Sequence, residues 1–213
     1  MALKIAMFSD FICPFCYIGF EVMRQLKSEF DFELEWRGFQ IHPDWPAEGI
    51  SAEAAMPGRD PESRKAVWQR ITDMATSVGL EMKAPSVMTN SHSALMVAEY
   101  AREAGKSMEF DERVYRAYFH DGMNIGDSAV VLALAKEAGL DENEAADAIK
   151  SPKYEMKLKN NALAANQRGV DGVPTFFIGE YALRGAQSLD TMRKVLKRAT
   201  EIFGNQERIA TKD

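Results

Sequence analysis

Cys13-Pro14-Phe15-Cys16 holds the only two cysteines of the chain, three positions apart. Two thiols at that spacing can do thiol–disulfide exchange, close a structural disulfide, or supply half of a metal site. On a first helical turn, residues i and i+3 bring their Cα atoms about 5–6 Å apart, inside the range a disulfide tolerates. The pair follows an apolar run, Ile5-Ala6-Met7-Phe8, and precedes a helical pattern from Tyr17 to Leu26, so it sits where a strand hands over to a helix. Pro14 suits the first helical position, where a missing N–H costs nothing. That places Cys13 at the N-cap, facing unpaired backbone N–H groups and the positive end of the helix dipole, which favour a thiolate. The thiolate is the nucleophile of disulfide exchange, so Cys13 is the attacking thiol and Cys16 a resolving partner within reach.

The other uses of two thiols are weaker. A disulfide closing so short a loop contributes roughly 2 kcal/mol by chain entropy. A zinc site would need two of His42, His92 and His120, which are scattered singly rather than paired at ligand spacing, so no metal is expected. Asp10 stands close before the pair and is a candidate for proton transfer, with a solvated carboxylate at a strand end as the alternative.

The elements that must position these residues follow from periodicity. Residues 3–9 read as a buried strand, 15–28 as a helix, and Phe32-Glu33-Leu34-Glu35-Trp36-Arg37 alternates apolar and charged as a half-buried strand. Strand, helix, strand at this spacing makes a βαβ unit with parallel strands. The segment from Ile41 to Pro61 reads as loop. Between Glu62 and Arg168 the period is helical, in about six helices. Val67, Ile71, Met74, Ala75 and Val78 mark the inner face of the first of these, and Ser91, Asp127, Asp141 and Ser151-Pro152 mark later starts. After Gly169 a strand over 173–178, a Gly179-Glu180 turn and a strand over 181–184 form a hairpin. Ser188 caps a last helix through Phe203, and 205–213 reads as a polar, frayed tail. The fold class is therefore α/β, a thioredoxin-like β-α-β … β-β-α fold with a large all-helical insertion. Residues 1–45 with 169–204 form the thioredoxin-like domain and 46–168 the inserted helical subdomain.

Pro174 is the second anchor. A proline at the start of a central strand gives no hydrogen to the ladder; a cis bond is one way to seat it and a plain trans proline is the other. A cis bond would leave neighbouring backbone groups free to pair with an extended substrate chain.

With these residues in hand, the chain resembles the DsbA-like thioredoxin-fold oxidoreductases, closest to the FrnE-like branch. The resemblance rests on residues 9–19 (SDFICPFCYIG), 122–127 (GMNIGD), 169–176 (GVDGVPTF) and Gly185-Ala186-Gln187, and it spans nearly the whole chain. It implies that Pro174 is a cis-proline facing the site, that Cys13 attacks and Cys16 resolves, and that Pro14, Phe15, Val173 and Thr175 meet the substrate. Oxidising DsbA proteins are similar but carry histidine where Phe15 stands; Phe15 offers no charge, which predicts a less oxidising pair. Thioredoxins are similar too, with a buried acid on the first strand where Met7 stands here. The kappa-class glutathione transferases and hydroxychromene-carboxylate isomerases share the fold but use a serine near position 13, and a resolving Cys16 has no use in that chemistry.

Three functions follow in order: a thiol–disulfide oxidoreductase, a glutathione-dependent isomerase or transferase, and a non-catalytic peptide-binding module. The last would use Met56, Met74, Met82, Met88, Met96, Met108 and Met123 as an adaptable lining, although at helical spacing most methionines belong to a core. Tyr17 and Trp45 could border the same groove, and Tyr118-Phe119 read as core. No resident cofactor is expected beyond the redox-active cysteines, with glutathione a possible co-substrate; the partners are thiols or disulfides of proteins or of glutathione. A net charge of −6 with no basic stripe excludes a nucleic-acid partner. With no apolar run long enough for a membrane helix and a start that runs directly into the first strand, the expected compartment is cytoplasmic, where a cysteine pair is favoured as catalytic. Monomer and homodimer are equally compatible with the sequence.

Overall fold

Strand β1 (Leu3–Ser9) is central because its residues are apolar on both faces, and a computed structural model describes it with the rest of the backbone from residue 2 to 210, and side chains to 203. Its partner β2 (Phe32–Gly38) runs parallel, in register from Leu3 against Phe32 to Ser9 against Gly38. The period-two reading of β2 holds in part: Phe32 and Trp36 are buried while Glu33 and Glu35 are exposed. On the other side of β1 lies β3 (Thr175–Ile178), antiparallel, and then β4 (Tyr181–Arg184), which gives the order β2-β1-β3-β4. Val173 and Pro174 precede β3 instead of beginning it, and the Gly185 N–H donates to the Pro174 carbonyl at 2.8 Å.

Helix α1 (Pro14–Leu26) packs on one face of this sheet and buries Cys16, Ile18, Phe20, Val22, Met23 and Leu26. The segment expected as loop contains a short helix, α2 (Ala52–Ala55), whose Ser51 hydroxyl accepts from Ala54 N–H. Then follow α3 (Pro61–Thr76), α4 (His92–Glu103), α5 (Ser107–Phe119), α6 (Ser128–Glu137), α7 (Glu142–Ile149) and α8 (Pro152–Gln167). The expected acidic caps are present: the Asp127 and Asp141 carboxylates accept from Ala129 and Asn143 N–H at 2.8 and 2.9 Å. On α3 the inner face holds Ile71 and Ala75 with Trp68 partly buried, whereas Val67 points outward; Trp68 stacks toward Phe119 and turns the helix by one residue from the expected face.

One continuous core joins α1 and the sheet to α4–α7. A second, small cluster of Phe8, Phe177 and Ala165 covers the opposite face of the sheet, so α8, at the end of the inserted segment, serves as the outer layer of the thioredoxin-like unit. Helix α9 (Leu189–Ala210) begins with the Ser188 hydroxyl accepting from Thr191 N–H and buries Met192, Leu196 and Ala199 as expected. It continues to Ala210, so the segment read as a tail from 205 is helical for that length; residues 211–213 lie outside the described residues. No helix among the described residues is long and apolar enough to cross a membrane.

Candidate active site

Cys13 occupies the N-cap of α1 with φ −91° and ψ 115°, and Pro14 follows in the first turn. The Cys13 N–H donates to the Asp10 carbonyl, and the Cys13 carbonyl accepts from Cys16 and Tyr17 N–H at 3.0 and 3.3 Å. The thiol does not cap the helix, contrary to expectation. Its side chain leans away from the first-turn amides, and Sγ donates to the Val173 carbonyl at 3.5 Å, across 160 residues of sequence. The Val173–Pro174 bond is cis. Both cysteines are free thiols; Cys13 is 6% exposed and Cys16 0%. Burial pushes the Cys16 thiol well up, reinforced by the Cys13 thiol beside it and opposed by the Ser9 hydroxyl and the Asp10 backbone N–H. The two sulfurs therefore differ in access and acidity, an outer one at the groove and an inner one held as thiol.

Around them, Phe15 is exposed, Pro14 and Val173 are partly so, and Pro174 is buried against α1. A methyl on Gly19 would sit 3.0 Å from Phe176 Cζ and 3.3 Å from Pro174 Cγ, which shows how closely α1 meets the proline turn. Thr175 differs from the substrate-contact expectation: its side chain is buried and its hydroxyl donates to the Gly172 carbonyl at 2.7 Å, bracing the turn.

Asp10 is fully buried. Its carboxylate accepts from Ile41 N–H at 2.8 Å and Ile12 N–H at 3.4 Å, and the Ser91 hydroxyl faces it short of full hydrogen-bond geometry. Burial raises it to about 6, with these donors pulling it back. It ties the loop after β2 to the segment that enters Cys13, and is not a solvated strand end.

Other residues singled out in the sequence fall away from the thiols. Tyr17 is buried and stacks on Tyr115, ring centroids 5.1 Å apart. Trp45 stacks on His42 at 3.7 Å. Asn90, not Ser91, supplies the side-chain cap of α4, its Oδ1 accepting from His92 N–H at 2.7 Å. His92 pairs with Glu155, His120 with Asp121, and no cluster of three metal-ligating side chains occurs among the described residues. Met82 and Met96 are buried, and Met74, Met108 and Met123 are partly buried against the core. Tyr118 and Phe119 are core residues, as expected. Sequence reasoning missed Ser9 and Tyr115. Their oxygens lie 2.7 Å apart directly behind Cys16, and a serine in a strand with a tyrosine 106 residues later carries no local signal of that contact.

A four-stranded α/β sheet, a Cys-x-x-Cys pair at the start of its first helix and a cis-proline turn facing the outer sulfur define a thioredoxin-fold protein of the DsbA type. The DSBA-like thioredoxin domain family matches residues 4–197, and the chain belongs to that family. YwbO of Bacillus subtilis (strain 168), an uncharacterized protein, is 31% identical over 201 residues, 92% of this chain and 96% of its own. The 2-hydroxychromene-2-carboxylate isomerase of Sphingobium xenophagum is 24% identical over 202 residues, 92% of this chain and 99% of its own. Among solved structures, the probable DsbA oxidoreductase SCO1869 of Streptomyces coelicolor has a TM-score of 0.84 at 23% identity, with 92% of this chain and 89% of that one covered.

Proposed function

We propose that the protein is a thiol–disulfide oxidoreductase that cycles Cys13 and Cys16 between dithiol and disulfide. The observation that carries this is the placement of the Cys13 sulfur 3.5 Å from the Val173 carbonyl, beside the cis-proline, with Cys16 buried behind it. In the reducing direction Cys13 thiolate attacks one sulfur of a substrate disulfide, forming a mixed disulfide and releasing the first substrate thiol. Cys16 then attacks Cys13 Sγ and releases the second thiol, so two electrons pass from the protein to the substrate. The reverse sequence oxidises a substrate dithiol. Val173 offers its backbone to an extended chain, and Phe15 and Pro14 flank that line. Glutathione fits as the small-thiol co-substrate that resets the pair.

The test is the equilibrium of the pair against a glutathione redox buffer, read by mass after thiol trapping. A potential near −120 to −180 mV marks an oxidase or isomerase, and one near −270 mV a thioredoxin-like reductant. Failure to form the disulfide refutes the proposal. The similarity to the isomerase supports a second reading, glutathione-dependent isomerisation. That reading predicts activity retained when both cysteines become serine, whereas disulfide exchange would be abolished.

A further inference from the structure

We infer that Ser9 and Tyr115 form a buried hydroxyl pair that positions Cys16 and satisfies its sulfur in both the thiol and the thiolate state, so that the resolving attack can proceed without a buried acid. This rests on the oxidoreductase reading above.

Cys16 has no access to water, yet resolution requires its sulfur to gain negative charge. An unpartnered charge there would be costly to bury. Ser9, the last residue of β1, is fully buried, and its hydroxyl faces the Cys16 sulfur on one side and Tyr115 on the other. The Ser9 and Tyr115 oxygens are 2.7 Å apart, and either can donate. Tyr115 also reaches the Asp10 carbonyl, at 3.5 Å. Two hydrogen-bond arrangements are therefore open to the same heavy atoms. In one, Tyr115 donates to the Asp10 carbonyl, Ser9 donates to Tyr115, and Ser9 accepts from the Cys16 thiol. In the other, Tyr115 donates to Ser9 and Ser9 donates to the Cys16 thiolate. Rotation of two O–H bonds converts one into the other.

The ring of Tyr115 is held for this task. It stacks on Tyr17 and packs against Phe11 and Phe20, ring centroids 5.0–5.5 Å away. The charged and polar groups facing this pair are few. Cys13 (α1) and the Asp10 N–H (β1) face Cys16, while the Trp36 indole N–H (β2) and Asp111 (α5) face Tyr115. The Asp10 carboxylate is occupied by Ile12 and Ile41 N–H, so it is the Ser9 hydroxyl and not this acid that addresses the sulfur. The step balances without a proton leaving the site: the Cys16–Cys13 S–S bond forms, the Cys13–substrate S–S bond breaks, and the Cys16 proton ends on the departing substrate thiolate.

The experiment separates resolution from the first exchange. Cys13 is loaded by reaction with glutathione disulfide, and release of the second glutathione is followed from about pH 5 to 9. For Ser9→Ala, resolution near neutral pH falls about tenfold and its pH midpoint rises by about one unit, as expected for the loss of a donor to a charged sulfur. Tyr115→Phe shifts both in the same direction by less, and Ser9→Thr, which keeps the hydroxyl, restores them. The first exchange, measured in a Cys16→Ser background, changes less than twofold. Should Ser9→Ala fail to fold, Tyr115→Phe, which deletes one oxygen, decides alone. An unmoved pH midpoint in a variant that folds overturns the inference. Failure of the Cys16→Ser protein to form any mixed disulfide overturns the oxidoreductase reading instead.

Discussion

Replacing Asp10 by asparagine should flatten a defined part of the stability–pH curve. The carboxyl is fully buried and raised from 3.8 to about 6, burial outweighing the donors from Ser91, Ile41 and Ile12. Between about pH 4 and pH 6 the native protein keeps this proton while the unfolded chain has lost it, so Asp10 makes stability fall as pH rises through that window and leaves it flat above. Integrating those two values gives a change of about 2.4 kcal/mol between about pH 4 and pH 7.5. The amide has no titration, so the destabilisation caused by Asp10→Asn should be larger near pH 4 than near pH 7.5 by that amount. The amide's own cost, one donor where two N–H groups want acceptors, is the same at both pH values and cancels in the difference. Asp111, also buried and raised to about 7, titrates in both proteins and cancels likewise. Urea unfolding at the two pH values measures the quantity directly. A destabilisation equal at both within about 0.5 kcal/mol would show that Asp10 is not held protonated by burial, and the account of this carboxyl would be wrong.

Three further outcomes are expected. Gly19→Ala places a methyl 3.0 Å from Phe176 and 3.3 Å from Pro174, and overpacking of about 1–3 kcal/mol should exceed the roughly 1 kcal/mol gained in helix propensity. A thermal melt should show a net loss, with a several-fold slower exchange with glutathione disulfide; a more stable protein with unchanged exchange contradicts the close packing of α1 on the proline turn. Limiting iodoacetamide at neutral pH should label Cys13 at least about tenfold ahead of Cys16, read by peptide mapping, because the inner thiol is buried and its acidity is suppressed. Asn90→Ala removes bonds to His92, Gln40, Pro43 and Trp45 and should cost about 1–3 kcal/mol in chemical unfolding without moving the potential of the cysteine pair.

The helix boundaries that were legible in the sequence are those with a local cause. Asp127 and Asp141 cap their helices through bonds to residues two or three positions on, and Gly139 and Gly169 take positive φ at the ends of α6 and α8. Asn90 escaped this logic because its amide caps α4 while also reaching back to Pro43 and Trp45, contacts remote in sequence. Val67 was misplaced because an apolar residue at helical spacing satisfies the pattern whether or not a neighbour covers it, and Trp68, with the larger surface to bury, set the rotation of α3. Likewise Thr175 sits next to Pro174 in the chain, but the strand's alternation sends its side chain inward to Gly172.

By itself the sequence determined the thioredoxin-like order of elements and the cysteine pair at the start of α1, because periodicity, caps and a strand-to-helix handover act over a few residues. Only the tertiary structure decided that the Cys13 sulfur leans to the Val173 carbonyl, that Asp10 is buried and pinned between Ile12 and Ile41, and that Ser9 and Tyr115 stand behind Cys16. Those are contacts between residues dozens to more than a hundred positions apart. They are set by how α1 and α5 close over the end of β1, and burial there changes the chemistry of groups that the sequence presents as ordinary.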